Sequence, residues 1–424
     1  MEDPGLGAPI SKCRPSSSLL KRVRVREVSG DGSRGKPYGA EEAGDELKRI
    51  ILSPGPVDID ISRFQNIVPM HHRSNSFRRI VIETEEMIRR CIVTSSPVYL
   101  ITSSGTGAME AAVANVTRPG ERVLAVSGGK FGDRWAEICG AYGCDVDVLG
   151  LRPGEAVDID MIVSKVRRYD PDHITLVHVE SSTGLLFPLE ELLAALPESR
   201  PCVIVDAISS VGAEDIKMDE WGMDVLVGAV QKAFAAPAGV SFVSLGKRGM
   251  ERMMGCTRDL YYFSLKRYER GREHGETPFT PAVRSIQMVH QSLSRMEELG
   301  WEVLRERHKK SSNAYLSATA HLKLPSYSAV PSSAVQALLI PDELIDSDLV
   351  SRLDERGVIV AGGQGENAGK LIRTGFLGLY GIGVIKRIIE ALSSIVIEAG
   401  FSIDTESIER ELILIGGLED ILLF

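Results

Sequence analysis

Val203-Ile204-Val205-Asp206 and Val225-Leu226-Val227, with Gln231-Lys232 just beyond, form the stretch on which the fold turns. Each apolar run is short and rich in β-branched residues, as a strand buried on both faces of a parallel sheet requires. Working outward, Tyr99-Leu100-Ile101, Val123-Leu124-Ala125-Val126 and Ile174-Thr175-Leu176-Val177 have the same character. Helical segments fall between them at Ala108 to Val116, Arg134 to Tyr142, Ile159 to Arg168 and Leu189 to Ala195. Thr117-Arg118-Pro119-Gly120 is a stop signal between a helix and the next strand. This alternation predicts an α/β fold whose mostly parallel sheet is flanked by helices.

Beyond this region a long helical stretch from Ala282 to Leu322 reads as a domain connection. Strand-like runs at Val335 to Ile340, Gly357 to Ala361 and Leu371 to Thr374 follow, with helices near Ser347 to Arg356 and Ile382 to Ala399. They predict a smaller α+β domain. The expected division is an arm at 1–45, a large domain at 46–285, and a linking helix with the small domain at 286–424. The apolar end, Glu409 to Phe424, is expected to pack rather than hang free.

The arm differs in texture from the rest. Residues 1–40 hold sixteen Gly, Pro or Ser and eight Lys or Arg against four acids, so they carry +4 within a chain of net charge -9. A flexible arm is the expectation, although the alternation of Arg22-Val23-Arg24-Val25-Arg26 also fits an edge strand. The acidic balance disfavours nucleic acid as a partner. No apolar run is long enough to span a membrane, and a cytoplasmic protein is expected. The six cysteines (Cys13, Cys91, Cys139, Cys144, Cys202, Cys256) include no C-x-x-C pair, and His71, His72, His173 and His178 lack ligand spacing. No metal site is expected.

In open α/β sheets ligands sit beyond the carboxyl ends of the strands. After Ile101 comes Thr102-Ser103-Ser104-Gly105-Thr106-Gly107 and then a helix, a turn that offers backbone N–H groups to a phosphate. After Val205 comes Asp206. After the strand ending near Val230 comes Lys232, set against the apolar Ala233-Phe234-Ala235-Ala236-Pro237, where desolvation lowers a lysine pKa and yields a neutral amine. A phosphate turn, a strand-end carboxylate and a strand-end amine together match the needs of pyridoxal 5'-phosphate.

With those residues in place the chain resembles the class V aminotransferases among the fold-type I pyridoxal-phosphate enzymes, most of all the alanine-glyoxylate, serine-glyoxylate and serine-pyruvate branch. The resemblance spans about residues 50 to 395. Its motifs are Ser53-Pro54-Gly55-Pro56, His72-Arg73-Ser74 with Phe77, Ser104-Gly105-Thr106-Gly107-Ala108-Met109-Glu110, Glu180-Ser181-Ser182-Thr183-Gly184, Val205-Asp206-Ala207, Gln231-Lys232 with Pro237, Thr277-Pro278, and Arg373 before Gly375. His274 stands where the alanine-glyoxylate type carries a tyrosine, and Phe131 stands where it carries a tryptophan.

The resemblance implies a role for each matched position. Lys232 would bind the cofactor as a Schiff base and move the substrate proton, and Asp206 would hold the ring nitrogen protonated. Ser104, Gly105, Thr106 and Gln231 would hold the phosphate, joined by Thr277 from the second subunit of a homodimer with shared active sites. Phe131 would stack on the ring, and Ser182 or Thr183 would lie near its phenolic oxygen. Arg373 would take the substrate α-carboxylate, with Gly55 leaving room beside it. The expected activity moves an amino group from a small amino acid such as alanine or serine to a 2-oxo acid such as glyoxylate or pyruvate. A lyase, a carbon-carbon bond-forming enzyme or a 2-aminoethylphosphonate-type transaminase is the alternative. Desulfuration is disfavoured, because no cysteine follows Cys256.

Overall fold

The five apolar runs are strands, and two further segments join them, in a computed structural model that describes residues 49–416 apart from 65, 66, 198 and 379. In chain order the strands are β1 (Val98–Ile101), β2 (Arg122–Ser127), β3 (Asp145–Gly150), β4 (His173–Val177), β5 (Cys202–Asp206), β6 (Val225–Ala229) and β7 (Ser241–Leu245). They lie side by side as β1-β7-β6-β5-β4-β2-β3. Strands β2 to β6 pair in parallel, while β7 is antiparallel to both β1 and β6. The sheet is therefore mixed.

The two strands not anticipated have physical reasons for their weak signal. Asp145–Gly150 is an edge strand, half in water, so it tolerates charge at Asp145 and Asp147. Strand β7 is buried along its whole length but carries two serines. Their hydroxyls are satisfied by Ser103 Oγ at 2.7 Å and the Pro97 carbonyl at 3.1 Å.

Helices α1 (Asn75–Cys91), α2 (Gly105–Val116) and α3 (Lys130–Ala141) cover the sheet near the site. Helix α1 buries Phe77, Val81, Thr84, Ile88 and Cys91, spaced three and four apart along one face. Its N-cap, Ser74, accepts a bond from the Phe77 N–H at 3.3 Å, a contact of the kind worth about 1 kcal/mol. Trp135 of α3 is fully buried among Tyr99, Met109 and Val123.

The expected long helix between 282 and 322 is two helices, Val283–Leu299 and Trp301–His321. Gly300 separates them with φ +91°, a conformation that ends a right-handed helix and that only glycine adopts readily. A smaller α+β domain follows. Its sheet consists of β8 (Val335–Leu339), β9 (Ala361–Gly362) and β10 (Leu371–Gly375), ordered β8-β10-β9 and antiparallel throughout. Helices Leu349–Glu355 and Ile382–Glu398 cover it.

A short N-terminal strand, Ile50–Ile51, pairs in parallel with Val358–Ile359, and Ile50 and Leu52 pack in the core of the small domain beside Leu338, Ile372 and Phe376. The following residues press on β10. The Gly375 N–H donates to the Leu52 carbonyl at 2.6 Å, and a Cβ at Gly375 would stand 2.6 Å from the Ser53 carbonyl oxygen. Near the other end, helix Thr405–Gly416 packs through Ile408, and Glu411 accepts a bond from Ser317 at 2.7 Å. The expectations for residues 1–45 and for 417–424 lie outside the described residues. Among the described residues no helix is long and apolar enough to cross a membrane.

Candidate active site

Strands β5 and β6 are neighbours in register, so Asp206 at the end of one and Gln231-Lys232 beyond the other emerge at the same edge of the sheet. Asp206 is 3% exposed, and its Oδ1 accepts from the Ile208 N–H at 2.7 Å. Burial pushes its carboxyl up to about 7, assisted by the Glu180 charge and opposed by the Ile208 hydrogen bond and by Lys232. Lys232 is 9% exposed and donates from Nζ to the Pro54 carbonyl. Burial brings its ammonium down to about 8, with Asp206 pulling it up and Arg373 pushing it down. Asp206 and Arg373 therefore both act on the amine of Lys232.

The Pro54-Gly55 segment forms the wall beside the amine. A Cβ at Gly55 would lie 2.5 Å from Lys232 Nζ, and the residue has φ +132°. Only glycine meets both demands. Gln231 is anchored by its carbonyl, which accepts from the Val57 N–H at 3.2 Å. Its side-chain Oε1 is buried with no partner among the described residues.

At the end of β1, Ser104 occupies the N-cap of α2, yet its hydroxyl makes no capping bond. The N–H groups of the first turn, at Gly105 and Thr106, are left for another acceptor. Gly105 is buried against Ile208, where a Cβ would meet the side chain at 2.5 Å. Thr106 is exposed at the same helix end.

Glu180 organises the opposite wall, a role that no sequence signal revealed. Its carboxylate is 1% exposed and accepts from the N–H groups of Phe131 at 3.1 Å, Gly132 at 3.0 Å and Ser182 at 3.2 Å, and from the Ser182 hydroxyl. Burial raises its pKa, against the pull of those donors. It thereby fastens Phe131, at the start of α3, to the Ser182 turn. The Lys130 N–H in turn donates to Ser182 Oγ at 3.0 Å. The Thr183 hydroxyl donates to the Glu180 carbonyl within the turn and to the Gly128 carbonyl before α3, each at 3.4 Å.

Arg373, in the middle of β10, is 5% exposed. Its Nε donates to the Gly362 carbonyl at 2.9 Å and its Nη1 to the Ser181 carbonyl at 2.8 Å, so the small domain reaches the Glu180 turn through this side chain. Thr277 is the exception among the expected residues. Its hydroxyl donates to the Phe279 carbonyl at 2.7 Å, and among the described residues no bond ties it to the Lys232 cluster. His173, at the start of β4, and His178, just beyond its end, are both buried: His173 meets Glu121 at 2.7 Å, and burial holds the His178 imidazole down at about 3. Among the described residues no group of three or more His, Cys, Asp or Glu is placed to hold a metal ion. A separate cavity of about 1110 Å³, lined by His178, Trp221, Glu214 and Arg305 among others, contains none of the residues expected to bind cofactor or substrate.

The residues present fit pyridoxal phosphate. The amine is buried and its pKa depressed, a carboxylate stands beside it, a helix end is uncapped, and Gln231 Oε1 lacks a partner. Such a sheet with such a site defines a fold-type I pyridoxal-phosphate enzyme. Residues 63–374 match the family described as aminotransferase class-V, and the chain belongs to that family. It is a pyridoxal-phosphate-dependent aminotransferase, moving amino groups between small amino acids and 2-oxo acids.

Individual relatives are similar at moderate identity. The chain is 31% identical over 363 residues to the soluble hydrogenase 42 kDa subunit of Anabaena cylindrica, covering 83% of this chain and 94% of that one. It is 29% identical over 341 residues to the L-aspartate–glyoxylate aminotransferase of Paracoccus denitrificans, covering 77% and 86%. The crystal structure of ureidoglycine-glyoxylate aminotransferase from Bacillus subtilis is similar with a TM-score of 0.79 at 25% identity, covering 87% and 98%.

Proposed function

We propose that the enzyme transfers the amino group of a small amino acid, such as alanine or serine, to a 2-oxo acid such as glyoxylate or pyruvate. The observation that carries this reading is the convergence of Lys232, Asp206 and Arg373, each buried, with the acid and the guanidinium both acting on the charge of the amine. Glyoxylate appears in the names of two of the relatives above, which favours it as acceptor.

When bound, pyridoxal phosphate supplies an electron-withdrawing ring that makes the substrate Cα–H bond acidic. The chain does the rest. Lys232 Nζ would hold the cofactor through its amine and would serve as the base for the substrate Cα proton. Asp206 keeps the ring nitrogen protonated, a task suited to a buried carboxylate with a charge to share. Gly105 and Thr106 offer N–H groups to the phosphate, with Ser104 and Gln231 beside them. Phe131 would stack on the cofactor ring, and Ser182 or Thr183 would lie near its phenolic oxygen. Arg373, its plane fixed by Gly362 and Ser181, orients the substrate carboxylate, and Gly55 leaves space for the reacting carbon. Thr277 completes the phosphate site of a second copy, making the working unit a homodimer.

The test is an absorbance titration of purified enzyme with a panel of amino acids, followed by identification of the 2-oxo acid released. Alanine or serine should convert the bound cofactor to pyridoxamine phosphate, and glyoxylate or pyruvate should restore it. Loss of ammonia without pyridoxamine phosphate would instead identify a lyase.

A further inference from the structure

Arg134 lies one turn into α3, three residues after Phe131. Its guanidinium carbon is 4.7 Å from the centroid of the Phe131 ring, and its Nη1 donates to Thr106 Oγ1 at 3.2 Å. The side chain thus bridges from the start of α3 to the first turn of α2. It is partly buried, and among the described residues it forms no ion pair with a carboxylate.

That placement is electrostatically wrong for an empty protein. Each helix N-terminus carries about half a positive charge, and a cation there is disfavoured. Arg134 sits near two such ends, those of α2 and α3. Its charge also reaches Asp206, whose carboxyl it pulls down. An unpaired guanidinium held between two positive helix ends becomes favourable once an anion joins them.

The Thr106 bond indicates where that anion sits. A hydroxyl has one hydrogen, and Thr106 Oγ1 accepts from Arg134, so its own O–H is free to donate toward an acceptor in front of the helix end. Phe131 fixes the guanidinium from the other side by a cation–π contact. We propose that Arg134 is a phosphate-binding residue, supplying positive charge to the phosphate monoester of pyridoxal phosphate beside the hydroxyl donor of Thr106. This inference rests on the cofactor assignment of the proposed function and adds a residue that the sequence motifs did not single out.

The test compares two ligands that differ only in the phosphate. Apoenzyme is titrated with pyridoxal phosphate and with pyridoxal, following Schiff-base absorbance, for the wild type, Arg134→Gln and Arg134→Lys. Arg134→Gln should weaken pyridoxal phosphate by about ten- to a hundredfold, the scale of one charge-assisted hydrogen bond, and leave pyridoxal within twofold. Arg134→Lys, which keeps the charge, should fall between. Inorganic phosphate should compete with pyridoxal phosphate in the wild type and lose that effect in Arg134→Gln. Pyridoxal binding serves as the check that the variants are folded.

Equal weakening of both ligands would overturn the proposal, placing Arg134 as a support for the Phe131 ring alone. Unchanged cofactor affinity with a raised KM for dicarboxylic amino acids would also overturn it, assigning the guanidinium to the substrate side chain. A wild type that takes up neither ligand would instead refute the cofactor assignment itself.

Discussion

Gly55 lies so close to Lys232 that a Cβ on it would be 2.5 Å from Nζ and 2.7 Å from both Cδ and Cε. The room in which the amine works is therefore made by a missing side chain. Gly55→Ala adds a methyl where there is no space, at a φ of +132° that L-residues rarely adopt, costing about 1–3 kcal/mol in backbone strain alone. Borohydride trapping of the cofactor on Lys232 should fall at least about tenfold, and thermal unfolding should show a lower midpoint. Wild-type trapping in this variant would show that the segment yields without consequence.

Lys232→Ala should lack both the visible absorbance of the Schiff base and activity. Peptide mapping after borohydride reduction of the wild type should find the modified lysine at 232. A label on any other lysine would reassign the site.

The pH dependence of cofactor uptake follows from the buried amine. Only neutral Lys232 attacks the aldehyde, and burial lowers its pKa from 10.5 to about 8. The rate of Schiff-base formation by apoenzyme should thus climb with pH and level off above about 8, well below where a surface lysine would. Asp206 pulls that pKa upward, so in Asp206→Asn the midpoint should move to lower pH. Turnover in the same variant should drop by several kcal/mol of transition-state stabilisation, on the order of a thousandfold or more, because an uncharged ring withdraws electrons poorly. Stopped-flow absorbance measures the first quantity, and steady-state assay the second.

Arg373→Lys keeps the charge but gives up the planar fork that Gly362 and Ser181 hold in place. The KM for an α-amino acid should rise about ten- to a hundredfold, equivalent to roughly 1.4–2.7 kcal/mol. Unchanged kinetics, together with good turnover of an amine lacking an α-carboxylate, would favour an aminophosphonate-type substrate.

Assembly offers another check. Because Thr277 is tied to Phe279 and not to its own Lys232 cluster, light scattering should find a homodimer. Thr277→Val should weaken cofactor retention without dissociating it. A fully active monomer would remove Thr277 from the site.

The sequence made the β5 and β6 strand ends legible because buried parallel strands are nearly pure apolar runs, and a charged residue at their ends stands out. It did the same for the glycine turn before α2. It left β7 hidden, since two serines dilute the run and only a three-dimensional partner, Ser103 or Pro97, explains their burial. The break at Gly300 was obscured by helical periodicity on both sides of one residue. The roles of Glu180, quoted only as part of a motif, and of Arg134 were the deeper omissions. One meets Phe131 across 49 positions of the chain and the other meets Thr106 across 28, separations that no local pattern encodes.

The contact of Leu52 and Ser53 with Gly375 has a consequence for the order of events during synthesis. Lys232, Asp206 and the glycine turn leave the ribosome well before the strand that carries Arg373. The segment bearing Gly55 is made earlier still, and its companion strand, Ile50–Ile51, must wait for Val358–Ile359. A nascent chain can thus expose the amine before the wall beside it has its support. Loading of the cofactor belongs to the finished polypeptide, and chains cut short before residue 375 would leave a reactive lysine without the groups that discipline it.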